Sequence, residues 1–169
     1  MKDMSKRKNN RIKNYDYSQN GAYFITICTK NMECILSSVV GAGVLDRPKI
    51  ILSSYGEIVD NQIKEMGEIY NHIFADNYVI MPNHIHMILN IEMNIEKGRS
   101  GTPAPTANSI LSSYVSTLKR FTNKKIGERI WQRSFYDHII RDEEDLYYHL
   151  QYIKENPKKW IMGKDEYYA

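Results

Sequence analysis

Cysteine is scarce in this chain of 169 residues, which contains only Cys28 and Cys34. So few cysteines exclude a small domain stapled by disulfides, and we interpret both as free cytoplasmic thiols. Long apolar runs are also missing, since none approaches the roughly 20 residues that cross a bilayer. The basic start of the sequence is not followed by the apolar stretch of a secretory signal. These absences predict a cytoplasmic protein with no membrane partner.

The basic residues are concentrated in two segments. Residues 1–13 and 118–133 each contain six lysines and arginines and one acidic residue, whereas the whole chain has 23 basic and 20 acidic residues. The rest of the chain is therefore acidic on balance, and this asymmetry favours a polyanionic partner. The alternative is a solvated tail and a solvated loop, which composition alone leaves open.

Apolar periodicity and turn residues predict alternating strands and helices. In chain order we expect a strand at 22–29, a hairpin or irregular excursion at 33–52, a helix at 55–70, two strands flanking Met81–Asn83, a helix from about Ser109, a strand at 136–140 and a last helix. Ser54 and Glu57 have the spacing of a capping box for the first helix. Asp142 is expected to cap the last helix, and Pro157 to end it after Asn156.

This order predicts an α+β fold with a ferredoxin- or RRM-like antiparallel sheet whose helices pack mainly on one face. We expect a basic arm over 1–20, a single domain over 21–160 with a flexible loop over 92–108, and a tail over 161–169.

Two of the five histidines stand one residue apart in the stretch YVIMPNHIHMILNI, residues 78–91. The alternation of a strand places His84 and His86 on one face, opposite the apolar face that contains Ile85, Met87 and Leu89. Two imidazoles so placed can converge on one cation. The alternative is a pair of half-buried histidines satisfied by hydrogen bonds.

The last helix has polar groups beside an apolar stripe of Leu146, Leu150 and Ile153. At about 100° per residue, Tyr152 lies roughly 130° from the centre of that stripe. Asn156 follows one turn later, and His149 lies beside the tyrosine. An ordinary amphipathic tyrosine at a helix flank explains the same pattern.

The segments MPNHIHMIL, LKRFT and IWQRSFYDHIIRDEEDLYYHLQYIKENP resemble the REP-associated tyrosine transposases. These belong with the insertion-sequence transposases that cut single-stranded DNA with a His-hydrophobic-His (HUH) motif and one tyrosine. The resemblance runs from about Tyr23 to Trp160, and the ordered combination of motifs is more specific than any one of them.

By position, the resemblance implies that His84 and His86 bind Mg²⁺ or Mn²⁺, with Asn156 as a third, polar ligand. It also implies that Tyr152 is the nucleophile that forms a covalent 5′-phosphotyrosine. Neither Tyr147 nor Tyr148 has an asparagine one turn later. His149 is a candidate neighbour for the tyrosine proton.

The implied partner is single-stranded or hairpin DNA. Its backbone contacts are assigned to the second basic segment: Lys119, Arg120, Lys124, Lys125, Arg129 and Arg133. Trp131 and Phe135 are expected to pack in the core rather than stack on bases. Because no Gly or Pro lies between Trp131 and Asn156 to form a hinge, we favour a monomer over a homodimer that exchanges its last helix.

Two other functions are open to the same residues. A non-catalytic nucleic-acid-binding module on a ferredoxin-like sheet would use the histidines structurally, although no RNP-type aromatic signature is present. A metal-dependent hydrolase is disfavoured because the motif segment contains no acidic ligand or carboxylate base. Formation of a covalent protein–DNA adduct separates the transposase from both.

Overall fold

The computed structural model describes residues 20–41, 48–92 and 107–163. Its elements in chain order are β1 (Gly21–Cys28), β2 (Ser37–Val40), β3 (Lys49–Leu52), α1 (Ser54–Ile69), β4 (Ile73–Ile80), β5 (His84–Ile91), α2 (Ala107–Ile126), β6 (Tyr136–Ile140) and α3 (Glu143–Ile161). The arm predicted over 1–20 lies outside the described residues except for Asn20, as do residues 93–106 of the predicted loop and 164–169 of the predicted tail. None of the described helices is long and apolar enough to cross a membrane.

Four strands form an antiparallel sheet in the order β4-β5-β1-β6, and β2 and β3 pair as a separate hairpin. β5 is an inner strand: all eight of its residues pair with β1 on one side, and six also pair with β4 on the other. The strand that carries the two histidines is therefore held along its whole length. The predicted α+β fold with an antiparallel sheet is confirmed.

The sheet has a core on each face. One face, with Ile85, Met87 and Leu89 of β5, packs against α1 and α2. The opposite face, with Phe24 of β1 and Ile88 of β5, packs against α3. Among the α-helices of the described residues, α1 and α2 thus cover one face of the sheet, and α3 covers the face that carries the histidines.

The start of α1 differs from the predicted capping box by one residue. Ser53, not Ser54, is the N-cap, and its hydroxyl accepts a hydrogen bond from the backbone N–H of Gly56. The same hydroxyl is hydrogen-bonded to the carbonyls of Ile35 and Leu36. These tertiary hydrogen bonds favour Ser53 over Ser54 as the N-cap, and rules based on local sequence do not take them into account.

The prediction that α3 ends before Pro157 is wrong, because the helix continues through the proline to Ile161. An interior proline removes one helical hydrogen bond and is costly. The extra turn, however, places Trp160 against the apolar cluster of the histidine face. It also places the Lys159 ammonium 4.8 Å from the centre of the Tyr152 ring. The domain boundary predicted at residue 160 therefore falls inside a helix, and α2 likewise begins inside the predicted loop, at Ala107.

Candidate active site

His84 and His86 project from β5 toward α3, and neither side chain is exposed to solvent. Their ring centres lie 4.4 Å apart, with the ring planes inclined at 69°. The structure therefore places the two predicted metal ligands side by side, and both are fully buried.

The Nδ1 atom of each histidine is hydrogen-bonded to a neighbouring side chain. The Nδ1 of His86 is hydrogen-bonded to Thr26 Oγ1 at 2.8 Å, and the Nδ1 of His84 to Asn83 Oδ1 at 2.8 Å. Asn83 Oδ1 can only accept, so His84 Nδ1 is the donor of this bond. Outer partners of this kind commonly orient histidines that bind metals.

Burial keeps both imidazoles neutral. It lowers the pKa of His84 to about 4, although a hydrogen bond with Asn156 acts in the opposite direction. Burial also lowers the pKa of His86 well below its usual value, and the nearby His84 and His149 lower it further. Neutral imidazoles retain the lone pair that a metal requires.

Tyr152 lies in the same pocket. Its side chain is buried, its ring centre is 5.1 Å from that of His86, and it contacts the edge of Phe24 at 5.9 Å. The buried face of α3 is therefore not centred on the predicted apolar stripe of Leu146, Leu150 and Ile153. The most buried face of α3 contains His149, Tyr152, Ile153 and Asn156, because the helix packs its polar side onto the histidines.

Asn156 lies one turn beyond Tyr152, is fully buried, and reaches His84. Trp160, another turn along, closes this side with its ring centre 6.1 Å from His84. Two imidazoles and an amide oxygen form a donor set without charge, drawn from β5 and α3. Such a set fits a divalent cation that must keep positions open for phosphate and water.

His149 is adjacent to this pocket but is engaged elsewhere. Its ring packs on Phe24, with centres 4.5 Å apart, and its Nδ1 is hydrogen-bonded to the Asp145 carbonyl at 2.8 Å. Phe24 in turn stacks on His86 at 5.2 Å. The role of His149 in proton transfer stays a prediction.

The six basic candidates do not share one environment. Lys119 is half-buried and donates to the carbonyls of Gln132 and Ser134, and burial lowers its pKa to about 8. Lys125 is exposed and paired with Glu65. The remaining four are exposed: Arg120, Lys124, Arg129 and Arg133. Lys119 thus anchors the segment before β6, whereas the others face solvent.

Trp131 packs in the core as expected, with its indole N–H donating to Thr122 at 2.7 Å. Phe135 is partly buried against the same core. Both observations favour a packing role over base stacking.

Sequence reasoning missed the residues of β1 that complete the pocket. Thr26 pairs with His86 across the sheet, and Phe24 pairs with Ile88. Thr26 and Phe24 alternate on one face of a recognisable strand, but only the pairing register reveals that this face meets the histidines.

No family model matches the sequence, but comparison with known proteins finds several relatives. An uncharacterised protein of Haemophilus influenzae is 31% identical over 169 aligned residues, covering 91% of this chain and 89% of that protein. A protein of the same species, named as a putative REP-associated tyrosine transposase, is 28% identical over 147 residues, covering 85% and 74%. The REP-associated tyrosine transposase of Escherichia coli is 30% identical over 87 residues, which are 50% of this chain and 45% of that one. The named relatives that this chain resembles are thus REP-associated tyrosine transposases, one of them over most of its length and the other over half of it.

A solved structure shares the fold of this chain. A REP-associated tyrosine transposase solved with a bound REP hairpin has a TM-score of 0.59 and 21% identity, over 88% of this chain and 73% of that chain. The relatives that have names are called transposases, which supports an enzymatic role for this chain. This sequence similarity favours catalysis over a purely binding module.

Proposed function

We propose that this protein cleaves and rejoins single-stranded, hairpin-containing DNA through a covalent bond to Tyr152. The observation that carries the proposal is the burial of Tyr152 against His86 within one chain, with Asn156 one turn away. A tyrosine brought to a neutral histidine pair by α3 is placed for nucleophilic attack beside a cation site, and a structural aromatic residue does not need that neighbourhood.

In the cleavage step the Tyr152 oxygen forms a bond to phosphorus, and the bond from phosphorus to the 3′-oxygen breaks. The phenol loses its proton and the departing 3′-oxygen gains one, which leaves a 5′-phosphotyrosine and a free 3′-hydroxyl. Because the phosphotyrosine is still an ester, a second 3′-hydroxyl can displace the tyrosine and join the DNA without ATP. The step is therefore strand transfer rather than hydrolysis.

His84, His86 and Asn156 would hold the divalent cation, Mg²⁺ or Mn²⁺. Bound there, it would neutralise charge on the phosphate oxygens during attack. The imidazoles favour Mn²⁺, because Mg²⁺ prefers an oxygen shell. Thr26 and Asn83 would fix the rings, and the surrounding Phe24 and Trp160 would limit access of water.

The DNA would be held by exposed basic side chains in the C-terminal part of α2 and in the segment that follows it. We assign backbone contacts to Arg120, Lys124, Arg129 and Arg133, with Lys125 as a further contact once its exposed pairing with Glu65 is exchanged for phosphate. Lys119 is assigned to holding residues 132–134 in place. A relative of the same fold was solved with a REP hairpin, which supports a hairpin as the substrate.

The decisive experiment is to trap the covalent adduct. The protein is incubated with single-stranded hairpin DNA and Mn²⁺, denatured, and resolved by electrophoresis. Tyr152→Phe removes only the hydroxyl, so we expect no adduct and hairpin binding within about two-fold of the unmodified protein, since a phenyl ring fills the same space.

Two tyrosines of the same helix provide matched controls. Tyr147 and Tyr148 are exposed, and their substitution by Phe should leave the adduct intact. An adduct that persists in Tyr152→Phe and disappears in Tyr147→Phe or Tyr148→Phe would assign the nucleophile elsewhere.

A further inference from the structure

A second group of histidines lies where β6 meets the start of α3. His138 comes from the edge strand, and Asp145 and His149 come from the first two turns of the helix. Their potential ligand atoms all lie within 4.8 Å of one another. The His138 and His149 rings are stacked, with centres 4.7 Å apart.

We propose that His138, Asp145 and His149 form a second divalent-cation site, of the kind that binds Zn²⁺, and that the ion fastens α3 to β6. This site is separate from the His84–His86 pair, and the proposal does not depend on the DNA chemistry proposed above.

The spacing of the three side chains carries the proposal. His138 Nε2 lies 3.1 Å and His149 Nδ1 lies 3.0 Å from the same carboxylate oxygen, Asp145 Oδ1. Ligands that surround one zinc ion at about 2.0–2.1 Å are themselves roughly 3.3 Å apart in a tetrahedral arrangement. Two of the three ligand separations are thus already suitable. The two stacked rings must still turn so that both nitrogens face the ion, and His138 is exposed enough to move.

The Asp145 carboxylate has the charge and the fixed position that a central metal ligand requires. Burial raises its pKa, but hydrogen bonds from His138 and from the Arg141 backbone outweigh this and hold the pKa below its usual value. The carboxylate is therefore ionised at neutral pH. Its own backbone N–H donates to the Asp142 side chain, which fixes the residue in the first turn of α3.

The donor set indicates the class of ion. Two imidazoles and one carboxylate are the ligands of an open zinc site, whereas Mg²⁺ and Ca²⁺ prefer oxygen shells. His138 is 45% exposed on the solvent side, so water can supply a fourth ligand. Binding requires the lone pairs of His138 Nε2 and His149 Nδ1, so each imidazole proton moves to the other ring nitrogen or is released.

The position of the site gives the ion a mechanical role. The ligands straddle the turn at Arg141 and Asp142, and His149 packs on Phe24, which contacts both His86 and Tyr152. An ion here would hold the helix of the proposed nucleophile against the sheet of its own chain.

Zinc binding by the full-length, metal-stripped protein tests the proposal, with stoichiometry measured by equilibrium dialysis and stability by thermal unfolding. We compare His138→Gln with His72→Gln, a histidine in the turn between α1 and β4. His72→Gln should bind Zn²⁺ like the unmodified protein, whereas His138→Gln should lose one equivalent, or bind it at least ten-fold more weakly, and lose its thermal stabilisation.

Asp145→Asn is the second variant, since it keeps an acceptor for Arg141 and removes the charge. Loss of the same equivalent in both variants supports the site. If both bind as much Zn²⁺ as His72→Gln, the cluster is a hydrogen-bonded cap and the proposal is wrong. Adduct formation by Tyr152 is measured separately, so failure of one proposal is distinguishable from failure of the other.

Discussion

His84 and His86 are kept neutral mainly by their surroundings, since burial is the largest influence on the pKa of each. The same burial makes the protein sensitive to acid, because a charged imidazolium at either position would be poorly solvated. An adjacent carboxylate would instead have raised the pKa of each imidazole and favoured a proton over a metal ion on its nitrogen. The burial of this pair is thus a property of the site as well as of the core.

Acid should therefore destabilise the metal-free protein through these two residues. The unfolded chain protonates His84 near pH 6.5, but the folded chain does so only near pH 4. Below pH 6.5 the unfolded state binds more protons, so the free energy of unfolding falls as pH is lowered, by about 3 kcal/mol at most from this residue. Urea unfolding in EDTA between pH 7 and 4.5 measures the effect.

His84→Gln removes the titrating group and should flatten this dependence, whereas His72→Gln should not alter it. Equal pH slopes for His84→Gln and the unmodified protein would show that His84 does not contribute. A saturating divalent cation should shift the loss to lower pH, because the ion and the proton compete for the same lone pair.

Two glycines of α1 show how one element depends on its position. Gly56 lies in the first turn, where an added Cβ would overlap the Leu36 carbonyl oxygen, whereas Gly67 has open space around it. We expect Gly56→Ala to destabilise the protein by roughly 1–3 kcal/mol, because the backbone must shift. Gly67→Ala should stabilise it by about 0.5–1 kcal/mol through helix propensity. Chemical denaturation measures both.

The matched pair isolates packing from propensity, since the same substitution is made twice in one helix. Equal changes in the free energy of unfolding for the two substitutions would mean that α1 does not pack closely on the Leu36 carbonyl at Gly56.

The elements that sequence predicted well are those whose signals are local. β6 was predicted with its observed bounds, and Asp142 caps α3 as expected. The failures in α3 have a tertiary origin: contacts of Trp160 and Lys159 carry the helix past Pro157, and packing on a polar face of the sheet buries Tyr152. His84, His86, Tyr152 and Asn156 were identified by their resemblance to a family. Thr26 could not be, because its role depends on strand register.

At the scale of the molecule, one chain brings Tyr152 and His86 together. We therefore expect the proposed cleavage to proceed in cis. Tyr152→Phe lacks the nucleophile and His84→Ala lacks a metal ligand, so neither chain should form adduct alone and their mixture should form none either. Adduct yield from mixed and separate chains measures this directly.

Restored adduct in the mixture would show that α3 is exchanged between two chains. Tyr147→Phe mixed with His84→Ala is the positive control, since the first chain retains every proposed active-site residue and should react at its usual yield per molecule. Sedimentation of the unmodified protein then establishes whether cis cleavage coincides with a monomer.

The position of β5 between two paired neighbours also bears on motion. Its amide hydrogens are held on both sides by β1 and β4, so opening them requires disruption of the sheet and costs close to the global stability. α3 packs on the sheet through one face only, so its detachment requires less free energy than the opening of the sheet. We therefore expect the amides of β5 to exchange more slowly than those of α3, so the tyrosine stands on the part that opens sooner. A DNA end bonded to Tyr152 would travel with α3 while the histidines remained in place.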